Sequence, residues 1–443
     1  MRRMLVLAFS TMLALMLCLT ACAPESETTT SAPVASVAGS TPNDDVIEVT
    51  MLQLKVEIAE QLQQFVDYYN SITDGVHVTV ETVGGGEDWN VNMTAKVGAN
   101  QAPVIFNIEG DADYERWKDY ISDQTGEEWT KYTDLAYTRD GKVYGFPIGI
   151  EGYGLGYNVE LLEKAGIDPS TLTTYSALED AFKKLDGMKD ELGIESVTSF
   201  GASLSGGMWG FCGVHHFSIY LGAGMTPTDR TLLEKFNSGE VDESRLTDYG
   251  KFVKLMADYS DYELLTTGNY DEQLAHFASG KSVFINQGNW ADPSLEKLGV
   301  TFDYDYISTP INDSEEYTGL YVFAPSWYCV NSKATEEEQR AARDFLNFMV
   351  TSEEGHNYMV NEAGLIPAYT NVTLTPTGNF SKAVMKANNS GDFYPFLGTS
   401  LKAGVAQDLL MPVYDMFAQD TSGDALNNFV ADIKAASVQS ASK

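Results

Sequence analysis

The sequence has few basic residues for its length. Its 443 residues include 28 lysine and arginine residues against 63 aspartate and glutamate residues, so the formal net charge is −35. So large an acidic excess argues against binding to nucleic acid and against charge-driven docking on anionic lipid, because both partners are themselves negative. It is compatible with a neutral ligand and with a soluble surface.

Cysteine and histidine are scarce as well. Two of the four cysteines lie within the first 22 residues, and the remaining Cys212 and Cys329 are too few for a disulfide framework. The five histidines lack metal-ligand spacing, since the adjacent His215 and His216 would point apart on a regular element. We therefore expect no bound metal.

Long apolar runs are missing after the first 21 residues. Leu5 to Leu19 is a continuous run of apolar and small residues behind two arginines, which is typical of an export signal rather than a membrane span. This pattern predicts a signal peptide over residues 1–21. Residues 22–45 are rich in serine, threonine, alanine and proline, which predicts a flexible linker.

The segment Leu19-Thr-Ala-Cys22, which closes the apolar run, resembles the lipobox of bacterial lipoproteins. The resemblance implies cleavage before Cys22 and attachment of lipid to its sulfur and its amine. Several acyl chains would anchor the protein stably. The alternative is a plain secretory signal with an incidental cysteine.

Motifs for nucleotides and for catalysis are missing too. Gly152-Tyr-Gly154-Leu-Gly156 lacks the third glycine of a dinucleotide fingerprint, and Ser279-Gly-Lys-Ser282 lacks the upstream glycine of a phosphate-binding loop. We therefore expect no cofactor, and no positive sign of an enzyme is present. The carboxylates are nevertheless too numerous for their count to exclude a glycosidase pair.

What the chain does contain, from residue 46 onwards, is a regular α/β pattern. The length of the chain, 443 residues, predicts two or more domains. Hydrophobic periodicity predicts strand 46–54, helix 58–69, strand 76–80, helix 91–97 and strand 103–108. This order is typical of an α/β unit with parallel strands.

Start and stop signals predict several later elements. Asn158 is placed to cap a short helix that ends at Gly166. Capping boxes are predicted at residues 176–179 and 335–338, each ahead of an amphipathic helix. Residues 321–330 are predicted to form one strand.

The segment from Lys142 to Asn158 is rich in glycine and aromatic residues and almost free of charge. Alternation predicts two short strands within it, and its glycines suit tight bends or close backbone approach. Glu151 is the one charged residue between Val143 and Asn158. It is either a solvated turn residue or a hydrogen-bond acceptor in a pocket, and the segment alone leaves both open.

Acidic and aromatic residues recur just after predicted strands, namely Glu109, Asp111, Glu151, Tyr153, Trp209 and Trp290. Each has a purely structural interpretation, because acids cap helices and turns and large aromatics usually pack in cores. Their shared position, however, is where open α/β sheets bind ligands. The pattern therefore favours a ligand site.

Four stretches carry a family resemblance, namely residues 19–22, 144–166, 277–290 and 342–367. Their residues, order and spacing resemble the sugar-binding family of bacterial extracellular solute-binding proteins, the receptors of ATP-driven importers. The resemblance covers nearly all of the chain after the signal peptide.

The resemblance implies an α/β, two-lobed periplasmic-binding-protein-like fold of type II, in which each lobe is a sheet flanked by helices and crossing hinge segments join the lobes. The first lobe would take residues 46–150 and 310–350, and the second would take residues 151–309 and 351–443. Cys212 and Cys329 would then lie in different lobes. A bond between them would hinder closure, so we expect both thiols to be free.

The resemblance also implies a set of ligand-binding residues. Glu151 would bind sugar hydroxyls at the crossing, Trp290 would stack on a sugar face, and Asp111 with Glu109 would accept hydroxyls after the third strand. The family places further polar and aromatic contacts at positions that correspond here to Lys55, Glu57, Tyr153, Trp209, His215, Trp327 and Tyr394.

We therefore expect a monomeric, lipid-anchored receptor on the outer face of the cytoplasmic membrane. It would deliver a carbohydrate to the membrane-embedded permease subunits of an ABC importer, and the several aromatic positions favour an oligosaccharide of the malto- or raffinose type. One alternative is an exported glycoside hydrolase that uses a pair among Glu109, Asp111 and Glu151. Another is a similar receptor for peptides or polyamines.

Overall fold

The computed structural model describes residues 46–84 and 89–443. The predicted signal peptide, the predicted linker and the predicted lipidation site at Cys22 lie outside the described residues. Among the helices that are described, none combines the length and the apolar character needed to cross a bilayer.

The strands of the described chain form two sheets. In chain order they are β1 Ile47–Gln53, β2 Val76–Thr82, β3 Ile105–Ile108, β4 Tyr137–Arg139, β5 Lys142–Pro147, β6 Glu151–Asn158, β7 Thr198–Ser199, β8 Phe284–Gly288, β9 Tyr304–Ile307, β10 Leu320–Phe323, β11 Trp327–Val330 and β12 Phe393–Pro395.

The α-helices lie mainly between these strands and after the last of them. They are α1 Ala59–Ile72, α2 Trp89–Gly98, α3 Gly110–Trp117, α4 Val159–Ala165, α5 Tyr175–Asp186, α6 Lys189–Leu192, α7 Phe217–Gly222, α8 Thr231–Asn237, α9 Glu243–Asp258, α10 Tyr262–Thr267, α11 Tyr270–Ala278, α12 Asp292–Lys297, α13 Glu336–Thr351, α14 Glu353–Asn357, α15 Asn379–Ser390, α16 Met411–Gln419 and α17 Ala425–Ala441.

The first sheet has the strand order β2-β1-β3-β11-β5-β4. β1 pairs in parallel with β2 and with β3, which confirms the predicted α/β unit. Side chains of β1 alternate between two cores, as the period of a strand requires. Met51 packs in the core that holds α1 and α13, whereas Leu52 packs in the core that holds Trp89 and Trp117.

The second sheet is built around β6. Its order is β12-β10-β6-β8-β7, and β9 also pairs with β6. β6 is antiparallel to β8, β9 and β10, and every residue of β6 is buried. Helix α5 covers this sheet, where the Phe182 ring stacks on Phe284 with centroids 5.1 Å apart. The predicted fold of two helix-flanked sheets is confirmed.

The chain passes between the sheets at residues 148–150 and again at 324–326. β5 belongs to the first sheet and β6 to the second, so the glycine-rich segment 142–158 contributes one strand to each. The two crossings lie side by side, because the amide of Ile148 donates to the carbonyl of Ser326 at 3.1 Å. The amide of Ile150 donates to the carbonyl of Ile366 at 2.8 Å, so a third segment borders the same crossing.

The prediction of one strand over residues 321–330 is wrong. The stretch is two strands, since β10 pairs with β6 in the second sheet and β11 pairs with β3 and β5 in the first. Pro325 lies between them and has no amide hydrogen with which to continue a ladder. The expected assignment of residues 310–350 to the first lobe is therefore wrong for β10.

The segment after residue 351, expected in the second lobe, begins on the first sheet's side of the molecule. The Tyr358 ring stacks on Phe65 of α1 with centroids 4.7 Å apart. The hydroxyl of Tyr369 donates to the carbonyl of Pro147 at the end of β5, at 2.7 Å. This part of the chain crosses towards the second sheet only after these contacts.

Two of the three predicted helix starts are confirmed. Asn158 accepts from the amide of Leu161, and Thr335 forms a capping box with Glu338. The capping box predicted at residues 176–179 is wrong. Thr174 caps α5 instead, because its backbone is extended and its hydroxyl accepts from the amide of Ala177 at 3.4 Å.

Both remaining cysteines are buried and free. Cys212 lies in the core of the second sheet, and Cys329 lies in β11 of the first sheet. Burial raises the pKa of each thiol well above its ordinary value. Neither thiol is therefore poised to react.

Candidate ligand-binding site

A cavity lies where the ends of the first sheet's strands meet the second sheet. Lys55 follows β1 and Glu109 follows β3, whereas Glu151 begins β6 and Trp290 follows β8, and all four line it. We call it the inter-sheet cavity. Its enclosed volume is about 210 Å³.

Two grooves elsewhere on the described chain are larger, with volumes of about 900 and 850 Å³. Neither is lined by a tryptophan, whereas Trp89, Trp209 and Trp290 all line the inter-sheet cavity. Aromatic walls with a few convergent polar groups mark a ligand site better than volume does. The inter-sheet cavity is therefore the candidate site.

A buried ion pair lies in this cavity between Lys55 and Glu151. Gln53 fixes the backbone at Lys55, because its side chain accepts from the Lys55 amide at 2.7 Å and donates to the Lys55 carbonyl at 2.9 Å. Burial opposes the charge of the ammonium group. The carboxylates of Glu151 and Glu57 outweigh that effect, so the pKa of Lys55 is raised.

Two further carboxyl groups face the same space. Burial, with the nearby charge of Asp113, raises the pKa of Glu109 to about 8. Burial also raises the pKa of Glu57, against the opposing effect of Lys55. Glu109 begins the turn into α3, where its amide donates to the carboxylate of Asp113 at 3.0 Å.

Trp290 forms an aromatic wall of the cavity. Its indole nitrogen donates to the side-chain oxygen of Gln287 at 3.1 Å, which fixes the ring. A methyl group at Gly288 would lie 2.1 Å from this ring, so the indole can take its position only over a glycine. The ring of Tyr153 stacks behind it, with centroids 6.2 Å apart and planes inclined by 17°.

His215 and Trp209 reach the cavity from a π-helical turn, Gly210–His216. Such turns re-aim side chains and are frequent at functional sites. Burial and the Lys55 cation lower the pKa of His215 to about 3, so its imidazole is neutral. Its Nδ1 is buried and has no hydrogen-bond partner within the described chain. A neutral imidazole can donate one hydrogen bond to a ligand hydroxyl or accept one from it.

The structure thus brings together seven of the eleven predicted ligand-binding residues, namely Lys55, Glu57, Glu109, Glu151, Trp209, His215 and Trp290. The acidic residues come from three different strand ends or turns. Their proximity follows from the topology, since β1 and β3 are neighbours and β6 enters beside them from the crossing.

Asp111 and Trp327 do not line the cavity. The carboxylate of Asp111 accepts from the Tyr137 hydroxyl at 2.9 Å and pairs with Arg139. Trp327 packs edge-on to Tyr137, and its indole nitrogen donates to the carbonyl of Leu135 at 2.8 Å. Both side chains point to the β4 side of the first sheet, away from the inter-sheet cavity, and their contact with a ligand stays a prediction.

Tyr153 and Tyr394 do not line the cavity either. Tyr153 is fully buried beneath Trp290, so it supports the wall rather than facing the ligand. Tyr394 packs against Tyr321 in the second sheet, and its hydroxyl accepts from the amide of Thr318 at 3.2 Å. Both side chains belong to the core of the second sheet.

Comparison with known proteins decides the family. Residues 64–389 match the family described as bacterial extracellular solute-binding protein. The chain belongs to this family.

Two relatives of the chain have names that refer to sugars. The chain is 21% identical over 326 residues to the multiple sugar-binding protein of Streptococcus mutans, covering 71% of this chain and 74% of the relative. It is 24% identical over 293 residues to the melibiose/raffinose/stachyose-binding protein of Bacillus subtilis, covering 62% of this chain and 63% of that relative.

The solved structure of a sugar transporter from Bacillus licheniformis in complex with stachyose shares this fold. It superimposes with a TM-score of 0.67 at 18% identity and covers 88% of this chain and 100% of its own. At this identity the likeness concerns the fold alone. Family members and structural neighbours are binding proteins rather than enzymes.

Several residues of this family member line the cavity without having been predicted, namely Trp89, Tyr270, Gln287, Phe323 and Thr399. Phe323 ends β10 and Gln287 is the penultimate residue of β8, so the strand-end argument could have found them. Trp89 and Tyr270 begin α2 and α11, where sequence periodicity does not distinguish a ligand-facing side chain from a core one.

Proposed function

We propose that this family member is a lipid-anchored receptor that captures an oligosaccharide in the inter-sheet cavity and delivers it to the permease subunits of an ABC importer. One observation carries the proposal. Three indoles and a set of buried ionisable groups from both sheets line a single cavity.

This lining suits the surface of a sugar. A sugar ring has flat apolar faces made of C–H groups and a rim of hydroxyls. The Trp290 ring, fixed by Gln287, offers a plane for a face. Glu151 offers a carboxylate acceptor for hydroxyls, and hydrogen bonds to a charged acceptor are stronger than neutral ones. Glu57 and Glu109 offer further carboxyl oxygens. A sugar that lacks a recognised hydroxyl would leave an acceptor unpaired.

Closure about the crossings completes the mechanism. Each sheet with its helices would act as a lobe, and a ligand that touches Lys55 in one lobe and Trp290 in the other would hold the closed form. Residues 148–150 and 324–326 would serve as the hinge. The Lys55–Glu151 pair lies beside this hinge and would fix the inner end of the cavity.

Calorimetry with a panel of malto- and raffinose-type oligosaccharides tests the proposal on residues 23–443. We expect saturable binding, without release of reducing ends during prolonged incubation. Turnover of any bound sugar would instead support the glycoside hydrolase, and binding of peptides with no binding of any carbohydrate would overturn the proposal.

A further inference from the structure

Acidic groups outnumber basic ones in the lining of the inter-sheet cavity. Among the described lining residues, the acidic groups are Glu57, Glu109 and Glu151, and the one ammonium group is that of Lys55. Lys55 forms its ion pair with Glu151. Two carboxyl groups, those of Glu57 and Glu109, are therefore left without a cationic partner of their own among the lining residues.

Both groups are partly exposed, and ionising them in this position is unfavourable. Desolvation is the largest cause of the raised pKa of each, and neighbouring carboxylates add to it. In the free protein Glu109 keeps its proton below a pH of about 8. A sugar hydroxyl would leave this group neutral, whereas a bound cation would stabilise the carboxylate, with release of the proton, and would also donate hydrogen bonds.

The remaining lining also suits a cation. Trp89, Trp209 and Trp290 line the same space, and indoles bind ammonium groups over their faces. Trp89 is 93% buried, and its indole nitrogen has no hydrogen-bond partner within the described chain. An unpartnered buried donor is unfavourable, and an acceptor on a bound ligand, such as a hydroxyl or ring oxygen, would satisfy it.

We propose that the inter-sheet cavity binds a glycan that carries a protonated amine, with the amine beside Glu57 and Glu109. The inference rests on the proposed carbohydrate function and narrows its ligand class. The amine provides the missing positive charge, the sugar faces stack on the indoles, and the Lys55–Glu151 pair takes hydroxyls.

Charged groups close to the cavity provide no further cation in its described lining. Asp113 adds a further negative charge next to Glu109. Arg116 and Lys402 line the adjoining cavity, which Glu109 also borders, but neither lines the inter-sheet cavity. The whole chain, at a net charge of −35, attracts a cationic ligand from a distance.

The test compares three β-1,4-linked trimers of equal length by calorimetry at pH 7, namely those of glucosamine, N-acetylglucosamine and glucose. We expect the glucosamine trimer to bind at least about tenfold more tightly than the other two, as expected for a charge-assisted contact. The advantage should shrink between 50 and 500 mM salt, because salt screens the attraction.

Substitutions of the two carboxyl groups test whether the ligand amine binds beside them. Glu57→Gln and Glu109→Gln keep the side-chain shape, and each should lower the affinity for the glucosamine trimer about tenfold. The amide oxygen can still accept from a sugar hydroxyl, so the affinity for the glucose trimer should fall less and the preference between the two trimers should shrink. Glu115→Gln is the matched control, since it removes one negative charge from the exposed side of α3. It should leave the preference unchanged. A thermal melt of each variant checks that it is folded.

The outcomes separate this inference from the proposed function. Equal or tighter binding of the neutral trimers, or of raffinose, would overturn the amine preference and leave a carbohydrate receptor. Binding of spermidine with no binding of any sugar would overturn both. Binding of none of the trimers would also overturn the inference, and raffinose binding would then decide whether the receptor function stands.

Discussion

Trp290 and Trp327 are both indoles next to strand ends, but only Trp290 lines the inter-sheet cavity. Trp290→Ala should weaken oligosaccharide binding by about 10- to 100-fold, because a stacked indole in a site is a typical energetic anchor. Trp327→Ala is the matched control and should leave the affinity close to that of the wild type. Calorimetry on both variants measures the difference.

Stability of the Trp290 variant decides between two interpretations of that residue. A folded variant with weakened binding supports the ligand contact. A variant that no longer folds would support the alternative that Trp290 is a core residue.

Glu109 should make the stability of the protein depend on pH. Its pKa is raised to about 8 in the folded state, above the ordinary value of about 4.3 in an unfolded chain. The folded state therefore holds a proton that the unfolded state has lost, and stability should fall as the pH rises from about 4.5 to 8. Without bound ligand, Glu109→Gln should remove part of this fall, on the order of 1–2 kcal/mol once solvent screening is allowed for.

Urea unfolding at pH 5 and pH 8.5 measures this difference between wild type and variant. The Glu115→Gln variant again provides the control, since Glu115 is an exposed residue on the same helix. An identical pH profile for wild type and Glu109→Gln would contradict the assigned environment of Glu109.

At the scale of elements, the start of α13 can be tested directly. Thr335 and Glu338 form a reciprocal capping box there. Thr335→Ala should lower the free energy of unfolding by about 1 kcal/mol, because it leaves amides of the first turn without an acceptor. Thr335→Ser keeps the hydroxyl and should cost much less, and chemical denaturation of the two variants makes the comparison.

Elements with strong local signals were predictable from the sequence. Asn158 and Thr335 cap helices as predicted, since capping depends on residues within one turn. The start of α5 was missed by two residues, because Thr174 and Ser176 are both able to cap and only the extended backbone at Thr174 selects between them. The break at Pro325 was missed because both halves of the stretch 321–330 look like strand, and their sheets differ only through long-range pairing.

The same distinction applies to the site. Glu151, Glu109 and Trp290 stand at strand ends, and topology brings strand ends together, so their positions could be argued from order alone. Asp111 lies only two residues after Glu109, but it turns towards Arg139 on the other side. Which of two neighbouring acids faces a cavity depends on packing that no local pattern records.

At the scale of the whole molecule, the proposed closure should be visible as compaction. We expect the radius of gyration of residues 23–443 in X-ray scattering to fall when a bound oligosaccharide is added at saturation, because the ligand holds the two lobes together. A sugar that does not bind in calorimetry is the control. Tight binding with no change in scattering would show that the lobes do not move.

The three-residue crossings have a geometric consequence for ligand length. Three residues can span at most about 10 Å, so the sheets stay tethered at this edge however far they rotate. Glu151 and Pro325 belong to this edge, and they also line the cavity. The tether itself thus forms part of the cavity wall. We therefore expect a long glycan to enter from the open mouth rather than past the tethered edge.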